Sequence, residues 1–439
     1  MQLHRSRSWV LVPVALGLLG PGCTRATGFC QTDADCAAGL TCRTATSTCQ
    51  SAADDLGPGS DLPGQQRLGT RLPAPTGSVT GDYFGSAVAL GTGFAVIGSY
   101  LAKSGQGVAY TADVLGSTVG PYTQLSSADA PVGYDYFGIA VAAYGNTMVI
   151  GAANKEAGKG AVYVYTRSGT TWSAPTKLVA ADGVAGDFFG AAVSLYADTL
   201  VVGAPYKGGS LGAAYVFTRS LLGAWSVPTR VSAPLDGALL PSDYFGQQVA
   251  ANSSYLAVSS PGRTLNRGAV YLYKFDPASM TWKQTLTGPL AVGAATGEQF
   301  GSALSMSATT LAVGSAAYSP SPLVFAQGGV SLYALETVAA PLTLTLADPA
   351  PRDRFGAALA LIPPAAGLPE ILLVGAPGRN QAFLYNNLVP WQRSAVLAVP
   401  LEGARSAVGS SVATTGAQHL LGTRGLPQEV GGAYFFSDN

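Results

Sequence analysis

A phenylalanine followed by glycine recurs along this 439-residue chain in the settings "GDYFGSAVAL", "YDYFGIAVAA", "GDFFGAAVSL", "SDYFGQQVAA", "GEQFGSALSM" and "DRFGAALAL". The repeated positions are Phe84, Phe137, Phe189, Phe245, Phe300 and Phe355, with Val408 in an altered seventh copy, "SAVGSSVATT"; their spacings run from 52 to 56 residues. Self-similarity at that period marks an array of supersecondary units, each unable to bury its apolar face alone. Three further columns travel with the first. An apolar run ends at Gly98, Gly151, Gly203, Ser259, Gly314, Gly375 and Gly422; a third reads "GVAY", "GAVYVY", "GAAYVF", "GAVYLY", "GVSLY", "QAFLY" and "GAYFF"; a fourth often opens on Trp172, Trp225, Trp282 or Trp391.

Each column is four to six residues of Val, Ile, Leu, Tyr and Phe between turn residues, the pattern of a strand. The second is apolar on consecutive residues, so it is covered on both faces, as inner strands are between the blades of a propeller. The reading is therefore all-β: a seven-bladed propeller of four-stranded antiparallel blades over residues 66–439. Glycine after Phe and after the second run fits places where a side chain would clash. The seventh copy ends after its third strand, "GGAYFFSDN", while residues 66–73 have the form of a fourth strand with no blade before them. That N-terminal strand is expected to pair with Tyr434 to Phe436 and complete the last blade, removing an open edge.

The Phe-Gly column followed by "VVGAP" and "LLVGAP" resembles the FG-GAP repeat, known from the integrin α-chain propeller and from bacterial surface proteins. The likeness covers about residues 66–439 and implies binding and adhesion. Calcium-binding copies carry clustered Asp between the first and second strands, because Ca²⁺ needs several oxygen ligands. Here those turns read "ALGTGF", "AYGNT", "LYADT", "NSSY", "MSATT" and "TTGAQ", with Asp198 alone among them and Glu370 in the longer sixth turn, so no metal and no cofactor is expected.

Ahead of the array, His4, Arg5 and Arg7 precede the twelve-residue apolar run "WVLVPVALGLLG", too short to span a bilayer, and residues 1–22 read as a signal peptide. "GPGC" then resembles a lipobox, with Cys23 as the lipidated residue. The remaining cysteines, Cys30, Cys36, Cys42 and Cys49, lie in a segment too small for a core, so residues 23–49 read as a lipid-anchor and Cys-rich, disulfide-stapled segment. Residues 50–65 are a Gly/Pro/Asp linker. Formal net charge is zero and charged residues are 11% of the chain, which argues against nucleic acid as a partner.

Catalytic constellations are sparse. His419 falls in an apolar strand column and reads as packed; "GGSLG" at 208–212 lies in an inter-strand loop, without the strand–turn–helix setting that a nucleophile elbow needs. An acid recurs two places before the Phe column (Asp82, Asp135, Asp187, Asp243, Glu298, Asp353, with Ser406 in the seventh copy) and reads as a turn former. The second-to-third loops are basic, and with the apolar blade-five loop they give the binding-face candidates Lys103, Lys155, Lys207, Arg263, Arg267, Tyr318, Phe325, Arg379 and Arg424. The expectation is a non-enzymatic binding or adhesion module of the cell surface or medium. It would be a monomeric lipoprotein of the outer membrane or an extracellular protein, meeting an unknown protein or glycan ligand and touching the membrane through its lipid. The alternatives are a polysaccharide-active enzyme using acids on the loop face, and a purely structural envelope protein.

Overall fold

Residues 94–99 show why the chain folds as a ring: Phe94 and Val96 enter one apolar cluster with Phe137 and Tyr163, while Ala95 and Ile97 enter another with Leu420 and Phe435. A strand apolar on both sides must be covered on both sides, and here the covers are the neighbouring blades. The computed structural model describes residues 40–43, 48–51 and 66–438, apart from 128, 130–132, 232–233, 235–236, 287–289, 293–294, 320–324, 338–339, 364–368, 388–390, 400–406 and 424–428. Signal peptide, Cys23, Cys30, Cys36, Ser406 and Arg424 thus lie outside the described residues.

The chain divides into two units, residues 1–57 and 58–439. Within the first, Leu40–Arg43 and Thr48–Ser51 form an antiparallel hairpin whose register sets Cys42 opposite Cys49. The second is an all-β propeller of seven antiparallel sheets. Blade two serves as the pattern: Phe137–Tyr144, Thr147–Ala152, Ala161–Ser168 and Thr176–Leu178 pair in sequence from the axis outward. Seven apolar clusters occupy the seven interfaces between blades, and the one joining blade seven to blade one holds Phe84, Val88 and Ile97 against Leu420 and Phe435. Each repeated Phe is buried and faces the preceding blade.

Thr70–Leu72 lies antiparallel on blade seven, with Leu72 opposite Ala433 and Thr70 opposite Phe435. The stretch does not run on as the single strand expected for 66–73. Gln66–Leu68 instead pairs parallel with Val396–Ala398 at the edge of blade six. Gly69 separates the two, and a Cβ there would fall 2.4 Å from the Phe436 ring, so the chain must cross from one blade to the next at a residue without a side chain.

The Phe-Gly glycine adopts φ near +90° in every copy, from Gly85 to Gly409, a region closed to side-chain-bearing residues. The glycine ending the second strand meets it across the blade interface: a Cβ on Gly203 would stand 2.0 Å from the Gly246 carbonyl oxygen, and one on Gly98 2.0 Å from that of Gly138. The same crowding recurs at Gly151, Gly314, Gly375 and Gly422. The two glycines of the repeat are therefore opposite halves of one joint between neighbouring blades. Backbone bonds complete it: the N–H of Phe84 donates to Val430 O (2.9 Å), Phe137 to Gln106 O (3.1 Å), Phe245 to Leu211 O (3.1 Å), Phe300 to Arg267 O (2.9 Å) and Phe355 to Gln327 O (2.9 Å). Where Val408 replaces Phe, its N–H donates to the side-chain oxygen of Asn380 (3.1 Å).

Gly203→Ala should lower unfolding free energy by about 3 kcal/mol, the upper range for overpacking, because backbone rather than a flexible side chain blocks the methyl. Gly77→Ala, with a φ of +90° but nothing within 4 Å of the added carbon, should cost only about 1 kcal/mol of backbone strain. Urea denaturation of the two variants separates clash from strain, and equal losses would refute the joint.

Candidate ligand-binding face

The turn entering each blade is built on a fixed alternation of backbone hand. In blade four, Ser242 (φ 72°) and Tyr244 (φ 53°) flank Asp243, and Phe245 and Gly246 follow; Tyr134 and Tyr136, and Arg352 and Arg354, repeat the pattern. Left-handed residues cost about 1–2 kcal/mol each, so the turn needs outside support. The acid supplies part of it by accepting the N–H three residues upstream: Val79 to Asp82 (2.8 Å), Val184 to Asp187 (2.8 Å), Leu240 to Asp243 (2.8 Å), Ala295 to Glu298 (2.9 Å) and Ala350 to Asp353 (2.6 Å).

Four of the recurring acids, Asp135, Asp187, Asp243 and Asp353, also hold a cation three residues beyond the end of the second strand. Lys155 Nζ lies 2.9 Å from Asp135 and 3.6 Å from Asp129; Lys207 Nζ lies 2.9 Å from Asp187 and 3.4 Å from Asp182. Arg379 spans Asp353 (2.9 Å) and Asp348 (3.1 Å), and Arg263 meets Asp243 (2.8 Å). The Lys155 side chain is only 4% exposed and the Asp135 side chain 3%. Of the binding-face candidates, Lys155, Lys207, Arg263 and Arg379 are thus placed in ion pairs that fasten the second-to-third loops of four blades to the strand connections beside them. Three blades lack the cation in sequence, since Ala102, Tyr318 and Leu426 stand in its place. Of the other candidates, Lys103 is exposed, Arg267 is half-buried, Tyr318 packs beside Gly329, and Phe325 lies under the Arg352 guanidinium at 5.1 Å.

The feature the sequence reading overlooked is the residue just before each repeated Phe. It reads Tyr83, Tyr136, Phe188, Tyr244, Gln299, Arg354 and Ala407 around the ring. Each is left-handed, with φ between 49° and 58°, at the start of an innermost strand, so the seven positions encircle one mouth of the axis. Tyr100 joins Tyr83 to Tyr136, with ring centroids 5.6 and 5.8 Å away. Tyr206 joins Phe188 to Tyr244 in the same way, at 5.0 and 5.4 Å. Tyr134 is 60% exposed and Tyr206 43% exposed, an unusual showing for large rings on a surface with few charges. The signal was present in the repeats as Tyr or Phe before "FG" in the first four copies.

The opposite end of the axis is plainer. A cavity of about 620 Å³ lies among the first strands of all seven blades, with Tyr144 and Tyr196 in ring contact (4.9 Å) at its rim. His419 is fully buried between Thr414 Oγ1 (2.8 Å) and Asp438 Oδ1 (3.0 Å), and burial pulls its pKa down to about 4, leaving a neutral, packed imidazole. Glu370 is buried and accepts the Thr310 hydroxyl (2.8 Å), tying blade six to blade five. Ser210 of "GGSLG" follows Gly208 and Gly209 in a left-handed turn (φ 70°, 64° and 74°) with no helix behind it. Among the described residues no cluster of three or more metal-ligating side chains occurs.

The FG-GAP repeat family matches residues 124–165 and 172–217. Both matches begin in or beside the outer strands of one blade and end in or at the third strand of the next, so the repeat unit straddles the joint. No curated protein matches the chain. Among solved structures, a catalytically inactive virginiamycin B lyase from Staphylococcus aureus bound to quinupristin superposes with a TM-score of 0.52, covering 83% of this chain and 98% of that one at 9% identity. At that identity the likeness is one of fold.

Removing one member of a buried ion pair leaves the other charge uncompensated, a loss of about 3–5 kcal/mol. Lys207→Ala should therefore lower stability by about 3 kcal/mol, whereas Lys103→Ala should change it by less than about 0.5 kcal/mol. Denaturant melts of the two decide, and a neutral Lys207→Ala would return that lysine to the list of ligand contacts.

Proposed function

We propose that this chain, which carries FG-GAP repeats in a seven-bladed β-propeller, is a non-catalytic binding module of the cell envelope that meets its ligand with the aromatic mouth of the ring. The observation that carries the reading is the pair of ring chains, Tyr83–Tyr100–Tyr136 and Phe188–Tyr206–Tyr244, set over a floor whose acids are already engaged. Aromatic rings supply contact area at low entropic cost and dominate the energetics of many interfaces. Five of the recurring acids hold a backbone N–H and four hold a cation, which favours recognition over acid catalysis at this face.

Display follows from the N-terminal reading: export, lipidation at Cys23 and a Gly/Pro/Asp linker over residues 50–65 would tether a monomeric propeller to an outer membrane. Disulfides among Cys30, Cys36, Cys42 and Cys49 belong to the same reading and leave Cys23 for the lipid. Thr70–Leu72 then serves as the clasp, since the ring stays shut only while this strand covers the outer edge of blade seven.

The display model is tested by attachment. The Tyr136→Ala/Tyr206→Ala double variant should lose at least about tenfold in attachment to the target surface, while Tyr144→Ala, 43% exposed at the opposite end, should not. Equal behaviour of the two would remove the mouth from function. The clasp is tested by truncation: starting the chain at residue 75 should lower the unfolding midpoint by many degrees relative to starting at residue 65. Identical midpoints would show that the strand closes nothing.

A further inference from the structure

The seven residues around the mouth are not of one kind. Blades one to four contribute Tyr83, Tyr136, Phe188 and Tyr244; blades five to seven contribute Gln299, Arg354 and Ala407. The aromatic side overlies clamps at Lys155, Lys207 and Arg263, where positive charge is cancelled within the turn. The other side is different. Arg352 and Arg354 are both exposed, and among the described residues neither meets a carboxylate. Arg352 is steadied over the Phe325 ring, which fixes where its guanidinium points without neutralising it. The mouth thus joins a curved aromatic platform to exposed guanidinium charge.

We propose that this mouth binds an acidic, uronate-bearing oligosaccharide, a refinement that rests on the reading of this face as the ligand site. Pyranose rings present flat C–H faces that stack on phenol rings, and their hydroxyls find partners in the tyrosine O–H groups and in the exposed amide of Gln299. The pendant carboxylate is what a guanidinium fork recognises, through two parallel charge-assisted hydrogen bonds. An acidic peptide shares the charge but suits the surface less well. The rings stand around a mouth as half-exposed platforms, whereas peptide anchors seek fully desolvated sockets. The run of rings across four adjacent blades calls for an elongated ligand with repeated flat units.

Titration calorimetry on the full chain, with oligogalacturonate and hyaluronan oligosaccharides as acidic probes, methyl-esterified oligogalacturonate as the neutral twin and poly-glutamate as the peptide probe, tests this. At least one uronate should bind, and its methyl ester at least about tenfold more weakly, the scale of one charge-assisted contact. Binding should weaken with added salt. Tyr136→Ala and, separately, Tyr206→Ala should each lose about tenfold, near the upper value for an aromatic contact. Arg354→Gln should lower uronate affinity by tenfold or more and leave the methyl ester unaffected. Unchanged thermal melts will show that the exposed substitutions keep the fold. The proposal is overturned if neither uronate binds, if the ester binds as tightly as the acid, or if poly-glutamate binds equally well with the same tyrosine dependence. Should attachment depend on Tyr136 and Tyr206 while no uronate binds, the mouth remains the ligand site and its ligand is not an acidic sugar.

Discussion

The close approach of two glycines across each blade interface is the constraint on which this molecule rests. The repeated Phe is the apolar weight of the joint, buried against the preceding blade, and the following glycine lets the backbone turn at φ near +90° while touching the neighbour's carbonyl. Every blade contributes one such glycine forward and all but one contribute a second backward, so the ring angle is set by backbone contacts rather than by side-chain packing. Blade four varies the scheme: Ser259 occupies the backward position and Gly301 lies against its Cβ. The altered seventh copy shows which part is indispensable, for Val408 replaces the ring while Gly409 keeps its φ of 89° and Asn380 stands in for the missing carbonyl.

Charge in this protein is mostly internal carpentry. With few ionisable side chains to distribute, the chain commits Lys155, Lys207, Arg263 and Arg379 to carboxylates beneath the surface, and the left-handed turns beside them inherit their rigidity. Buried pairs of this kind contribute more to fixing one arrangement than to net stability. They hold four of the seven turns beneath the residues that line the mouth.

Period, strand order and blade number were legible because each rests on a local pattern repeated seven times, and repetition removes the ambiguity of a short apolar run. The acid column and the basic loops were legible as residues but not as partners. Asp135 and Lys155 lie twenty positions apart, and nothing local says that the loop folds back onto the turn. The same distance problem hid the crossing at Gly69, where the ring of Phe436, far along the chain, decides that Gln66–Leu68 leaves blade seven for blade six. The aromatic mouth was written in the open, as Tyr or Phe before "FG", yet the eye assigns an aromatic beside a core Phe to the core. Only the left-handed backbone at Tyr83 and its counterparts turns that side chain outward.

That turn has a consequence for the rim. The residue ahead of each core Phe sits on a left-handed geometry supported by its neighbours, a position that admits unbranched and aromatic side chains more readily than β-branched ones. The mouth can be read as a seven-letter word, here Tyr-Tyr-Phe-Tyr-Gln-Arg-Ala, written beside an alphabet of glycines that does not vary with it. A propeller built this way keeps its grammar in the joints and its vocabulary at the rim.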